Sequence, residues 1–298
     1  CIRDRYDSTN CIEKELDCRL SLMRKMGVQI VNMPIKIVTD SSITIEPGIA
    51  RELDITIVPL SVTIDGTMYS DDDLKFEDFM VKMAASKNLP KTSQPPVGVF
   101  AEVYEKIAAE DDEIISIHLT EALSGTVEAA RQGGMLSGRN VTVIDSDFTD
   151  QAQKFQVVEA ARLAKAGASK EEILEKIKYI RENTELFIGF STLENLVKGG
   201  RVSRMTGLFG SLLQVRVIGT LKDRELNTLL RGRGSKTFYK WLEELSDSIS
   251  SSGRKIREIG ISHAQGLEFS QKAKEVLQKF VEKPISCLLY TSPSPRDM

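Results

Sequence analysis

Apolar positions along this chain follow two periods, and the two alternate. Ile35-Lys36-Ile37-Val38 is a short apolar run closed by the polar turn Thr39-Asp40-Ser41-Ser42, which predicts a buried strand. Ile55 to Ile64 is a longer β-branched segment, with Pro59 marking an edge or a bend. Asp65-Gly66 signals a tight turn, and Phe76, Phe79, Met80 and Met83 then recur at helical spacing. Glu113 to Leu119 and Val141 to Ile144 predict strands, with a helix opening near Ser124 between them. Gln151 to Ala166 predicts a helix. Ser169-Lys170-Glu171-Glu172 is a capping box opening another, whose apolar stripe is Ile173, Ile177 and Ile180. Leu186 to Phe190, Val215 to Ile218 and Ile259 to Ser262 predict further strands; Phe238 to Ile249 and Phe269 to Phe280 predict further helices.

This alternation implies a layered α/β fold in which crossover helices cover mostly parallel strands. Neither an internal repeat nor a low-complexity tract interrupts it, and a break is expected near Asp150 to Gln156, where no Pro/Gly-rich stretch marks it. The two ends of the chain read differently. Cys1 to Arg5 and Cys287 to Ser292 are both encodable by one oligonucleotide read from its two strands. Both ends are therefore expected to be non-native, with the true start at Met33 and native sequence ending near Ser286.

Composition narrows the classes of function. With 298 residues, 41% hydrophobic and 28% charged, the chain is an ordinary globular protein of one large or two smaller domains. A formal net charge of -3 supplies no basic field, which argues against nucleic acid. All four cysteines (Cys1, Cys11, Cys18, Cys287) lie in the suspect ends, so no disulfide framework, zinc cluster or cysteine nucleophile is expected between Met33 and Ser286. No apolar run approaches the roughly 20 residues of a membrane span, and the expected location is cytoplasmic.

Two stretches carry candidate chemistry. Lys91-Thr92-Ser93-Gln94-Pro95-Pro96 and Leu123-Ser124-Gly125-Thr126 each place hydroxyls beside a backbone bend. A buried carboxylate needs donors, because an unpaired charge costs several kcal/mol (on the order of 3–5). Thr92 and Ser124 each offer a hydroxyl; Gly125 and Thr126 would add backbone N–H groups at a helix N-terminus. Arg201, after two glycines, would add a fixed positive charge. Plainer readings stand beside these: Thr92-Ser93 as a turn-rich loop, Ser124 as a helix cap, Arg201 as a solvated or inter-domain cation. His118 and His263 read as packing or surface residues, since two isolated histidines make no metal site.

The order of short motifs resembles the DegV family. Its anchors here are Val38-Thr39-Asp40-Ser41-Ser42, Val58-Pro59-Leu60-Ser61-Val62, Thr92-Ser93-Gln94-Pro95, Leu123-Ser124-Gly125-Thr126 and Val143-Ile144-Asp145-Ser146. Lys198-Gly199-Gly200-Arg201, Gly210-Ser211-Leu212-Leu213 and Gly219-Thr220-Leu221-Lys222-Asp223 follow. The resemblance implies two α/β domains, at 33–155 and 156–286, with the ligand between them; residues 1–32 would be a non-native or disordered extension and 287–298 a non-native tail. It implies a non-catalytic carrier of long-chain fatty acid, with Thr92, Ser93, Ser124, Gly125, Thr126 and Arg201 around the carboxylate and no cofactor or metal of its own. A separate kinase would supply ATP and metal and form an acyl phosphate, with Arg233 of the Arg231-Gly232-Arg233 segment serving that step from the surface. The family's His-Thr-Gly-like motif is absent, because the chain passes into its closing segment at Cys287. Two other readings remain: a small-substrate kinase subunit related to dihydroxyacetone kinase, although no Gly-x-x-x-x-Gly-Lys-Ser/Thr loop is present, and an interaction module with a vestigial pocket.

Overall fold

The computed structural model describes residues 2–4, 34–71, 73–74, 76–86, 88, 90–198, 200, 205–206 and 215–290. Its first sheet is wholly parallel. Strands β2 (Ile35–Asp40), β3 (Ile55–Val58), β7 (Glu113–His118) and β8 (Asn140–Asp145) lie in the order β3-β2-β7-β8. The short helix α1 (Pro47–Glu52) makes the crossover from β2 to β3. Strand alternation sends Val38 and Ile114 to one face, where Phe100, Tyr104, Ala129 and Ala130 meet them. Those partners come from helices α3 (Val97–Ile107) and α4 (Thr126–Ser137). Ile37, Ile115 and Ile117 point to the other face, against Val157, Ala160, Ile173 and Ile177 of helices α5 (Asp150–Lys165) and α6 (Lys170–Glu182). Each buried isoleucine contributes about 1.5–3 kcal/mol, and covering both faces is what a parallel sheet requires.

Pro59 ends the first sheet's claim on the β-branched segment. Beyond it, β4 (Ser61–Ile64) pairs antiparallel with β5 (Thr67–Ser70) and β6 (Lys91–Ser93) in a separate three-stranded sheet. Asp65 (φ 46°) and Gly66 (φ 85°) form the left-handed hairpin turn between β4 and β5. Helix α2 (Phe76–Ala85) closes this sheet with Phe79 against Val62 and Ile64.

The remaining large sheet departs from the parallel arrangement expected from the sequence. Strands β9 (Thr184–Phe190), β11 (Arg216–Lys222) and β12 (Glu225–Gly232) pair antiparallel, in the order β12-β11-β9. The two-residue turn at Asp223 and Arg224, both left-handed (φ 52° and 62°), closes β11 and β12 into a hairpin, and a hairpin permits no other orientation. On the far side of β9 come β1 (Ile2–Asp4), β13 (Ile256–His263) and β14 (Ser286–Leu289). The two-residue strand β10 (Met205–Thr206) edges β12, and α7 (Glu194–Lys198) follows β9. Helices α8 (Lys236–Ser252) and α9 (Leu267–Leu277) cover one face, where Leu242, Ile249, Leu277 and Phe187 pack with Ile256 and Ile259.

The opposite face turns toward the first sheet. Leu186, Ile188 and Phe190 of β9 pack there with Phe148 and with Ala152 of α5. Helix α5 therefore lies between the two large sheets, its Ala152 in one core and its Val157 in the other. The boundary expected between residues 155 and 156 falls inside this helix.

Candidate functional site

In an open parallel sheet, ligands sit beyond the carboxyl ends of the strands, where the strand order reverses. Here the chain crosses from β2 to β3 on one side and later enters β7 on the other, which places that crevice at β2 and β7. Asp40 is the last residue of β2, His118 of β7 and Asp145 of β8.

Asp40 has no solvent exposure and is the centre of a polar network. Its Oδ1 accepts from the backbone N–H of Ser42 (3.0 Å) and from the Ser42 hydroxyl; its Oδ2 accepts from Leu119 N–H (2.9 Å) and from Gln153 Nε2 (3.3 Å). His118 Nδ1 lies 3.0 Å from the same Oδ2 and donates to it, since a carboxylate only accepts. Ser116 Oγ then bridges His118 Nε2 (2.7 Å) and the Tyr104 hydroxyl (2.8 Å). Burial pushes the Asp40 carboxyl up. The hydrogen bond and charge of His118, with the bonds from Ser42 and Leu119, outweigh it and hold the group below the usual carboxylate range. The histidine read from sequence as a packing residue does pack, edge-on against Phe100 at 5.1 Å, but it is also part of this relay. Ser116 and His118 stand two apart on one strand and so share a face, the one local hint in the sequence.

Two arms rise from this floor. One runs from Ser41, whose Oγ accepts from Leu60 N–H (2.9 Å) and whose own N–H reaches Val58 O (3.1 Å). Leu60 leads into β4, and β4 carries β6, with Val62 opposite Thr92 and Ser61 opposite Ser93. Thr92 and Ser93 are thus strand residues, where the plainer reading had a loop. Thr92 is half-buried and Ser93 exposed. The other arm runs from Leu119 through Thr120, whose N–H donates to Phe148 O (2.8 Å), to Ser124, whose N–H donates to Thr120 O (3.2 Å). Ser124 does not cap the helix. Gly125 occupies the N-cap of α4, and the Ser124 hydroxyl instead meets the Thr126 hydroxyl at 2.9 Å. Thr126 is fully buried.

The arms meet at Gly125. A Cβ there would overlap the Gln94 carboxamide, so the Thr92–Gln94 and Ser124–Thr126 segments touch where the Gln94 side chain lies over Gly125. Arg201 lies outside the described residues. Arg233 is exposed, between β12 and α8.

Charge gathers at the rim. Arg224, on the β11–β12 turn, reaches Asp147 (2.9 Å), Asp145 (3.5 Å) and Glu121 (3.9 Å), and so ties the second sheet to the loop that carries Ser124. Burial raises the Asp145 carboxyl above its ordinary value, and the neighbouring Asp147 adds to this. The Asp147 and Glu121 N–H groups and Arg224 oppose the rise without cancelling it. Among the described residues, no group of three His, Cys, Asp or Glu side chains is placed to hold a metal ion, and no helix is long and apolar enough to cross a membrane.

Relatives carry the same architecture. A sequence profile of the DegV family, described as an uncharacterised protein family, matches residues 34–293. A DegV domain-containing protein of Streptococcus pneumoniae serotype 4 is 59% identical over 255 residues, covering 85% of this chain and 91% of that one. Among solved structures, DegV of Bacillus subtilis, described as a fatty acid binding protein, has a TM-score of 0.76 at 27% identity, covering 87% of this chain and 93% of the other. A DegV family protein of Thermus thermophilus, described by its fatty acid binding, has a TM-score of 0.77 at 26% identity, covering 87% and 94%. The chain belongs to the DegV family.

Proposed function

We propose that this protein binds a long-chain fatty acid between its two α/β halves, which share helix α5, and works in the cytoplasm as a non-catalytic carrier. The observation that carries this reading is the meeting of the Thr92–Gln94 and Ser124–Thr126 segments over Gly125, at the carboxyl end of the parallel sheet. The hydroxyls of Thr92, Ser93, Ser124 and Thr126 and the N–H groups of Gly125 and Thr126 supply the donors that a carboxylate needs once it leaves water. Arg201 adds positive charge to the same group. The acyl tail contributes about 0.8 kcal/mol per buried CH₂, or roughly 10 kcal/mol for about 16 carbons before ordering costs. Fatty acid binding by the Bacillus and Thermus relatives supports the assignment.

The carrier then presents its carboxylate to a separate kinase. Attack on a γ-phosphate needs ATP, a metal ion and positive charge around the transferring group, and the kinase brings the first two. Exposed Arg233 supplies part of the third, or docks the kinase, without touching the tail. Native mass spectrometry of protein purified from cells should reveal a co-purified fatty acid. With ATP and Mg²⁺ the loaded protein should form acyl phosphate only when the cognate kinase is added, and Arg233→Ala should slow that step while leaving fatty-acid affinity unchanged. Turnover by the protein alone would replace the carrier with an enzyme.

A further inference from the structure

Both arms of the candidate site start from one short turn. Asp40 holds Leu119, from which the chain leads to Ser124; the next residue, Ser41, holds Leu60, from which the chain leads through β4 and β6 to Thr92. Asp40 is itself held from the far side by His118, Ser42 and Gln153, His118 by Ser116, and Ser116 in turn by Tyr104, so the turn cannot shift without breaking several buried hydrogen bonds. Gln153 also donates to Thr39 Oγ1 (3.0 Å), which ties helix α5 to the same point. All of Thr39, Asp40, Ser42, Ser116, His118 and Gln153 are without solvent exposure, and their side chains are engaged with one another beneath the crevice.

We propose that Asp40 and Ser41 are positioning residues for carboxylate recognition: together they fix the spacing between the Thr92 hydroxyl and the Ser124–Thr126 hydroxyl pair. The proposal deepens the fatty-acid reading and rests on it. A headgroup with two oxygens and several acceptor sites needs donors on both arms at once, so its binding is sensitive to their spacing. A headgroup with a single hydroxyl is satisfied by either arm alone. Loosening the turn should therefore weaken a fatty acid and spare the fatty alcohol of the same chain length. A role confined to holding the fold together would weaken both alike.

The test compares palmitate with hexadecan-1-ol as competitors of a fluorescent fatty acid, on wild type, Asp40→Asn, Ser41→Ala and Ser41→Thr. Asp40→Asn should weaken palmitate by about tenfold, the equivalent of one hydrogen bond to a charged group, with hexadecanol changed less than about twofold. Ser41→Ala should lower the palmitate preference by about threefold, the share expected of one neutral hydrogen bond, and Ser41→Thr should restore it. If Asp40→Asn fails to fold, the Ser41 pair decides. Equal weakening of both ligands, or an unchanged preference in folded variants, overturns the positioning role while leaving the fatty-acid reading intact. A wild type that does not prefer palmitate to hexadecanol removes the carboxylate reading and this inference with it.

Discussion

The hydroxyls of Thr92 and Ser124 reach the candidate site by different routes, one as a strand residue opposite Val62 and one from the loop before α4. Thr92→Val and Ser124→Ala nearly preserve volume and each remove one donor. Each should weaken fatty-acid binding by about 1–3 kcal/mol, the range for a hydrogen bond to a charged group. Titration with a fluorescent fatty acid checks this, and affinity unchanged in both variants would take these residues out of the site. The residues beneath them were harder to read from sequence. Thr92, Ser124 and Gly125 announced themselves because hydroxyls beside a bend are a local pattern. Asp40 and His118 are 78 positions apart and become partners only when β2 and β7 pair. The sequence offered Asp40 as part of a polar turn and His118 as an apolar-strand residue, and both descriptions are true without revealing the bond between them.

Elements whose signals are local were legible; those created by a neighbour were not. The capping box at Ser169 is present in full: Glu172 N–H donates to Ser169 Oγ (3.3 Å), and Ser169 N–H donates to the Glu172 carboxylate (2.8 Å). Ser169→Ala should cost about 1 kcal/mol in urea denaturation, with Ser169→Asp near neutral; equal losses in the two would mean that capping is not what Ser169 contributes. Strand β6 is the contrasting case. Lys91-Thr92-Ser93 has neither alternation nor β-branched density, and it is a strand because β4 presents an unpaired edge to it. Helix α4 shows the same dependence at its middle, where a Cβ on Gly133 would overlap Phe100 of α3. The glycine weakens the helical signal and is also what lets α3 and α4 lie against one another. The antiparallel second sheet was missed for a related reason. Strand signals carry no direction, and Asp223-Arg224 gives no glycine to mark the hairpin.

At the scale of the whole molecule, Arg224 is the ionic tie between the second sheet and the rim of the first. Its side chain is half exposed, so Arg224→Ala should cost no more than about 1 kcal/mol, and less in high salt. Part of the pH dependence of that difference comes from Asp145, one of the three carboxylates that Arg224 reaches. A carboxyl raised above its unfolded value accepts a proton early as pH falls; this favours the native state for Asp145 itself but removes the charge that Arg224 needs. Asp40 behaves in the opposite sense. Its lowered carboxyl contributes stability that is complete above the unfolded value of 3.8 and is lost only as pH falls through the lower native one. Urea melts from neutral to acid pH should therefore show the Arg224→Ala difference fading first and the Asp40-dependent loss only later; a difference that stays constant to pH 4, or ignores salt, would show that the tie carries no load. Helix α5 sets a further condition on the molecule. Its Gln151 donates to Thr44 O, its Lys154 pairs with Glu46, its Glu159 pairs with Arg257 of β13, and its apolar residues serve both large cores. A chimera joining the first sheet of one relative to the second sheet of another would have to place one helix sequence that satisfies two foreign surfaces at once. A change on the buried face of either sheet must therefore be matched on a helix that the other sheet also packs against.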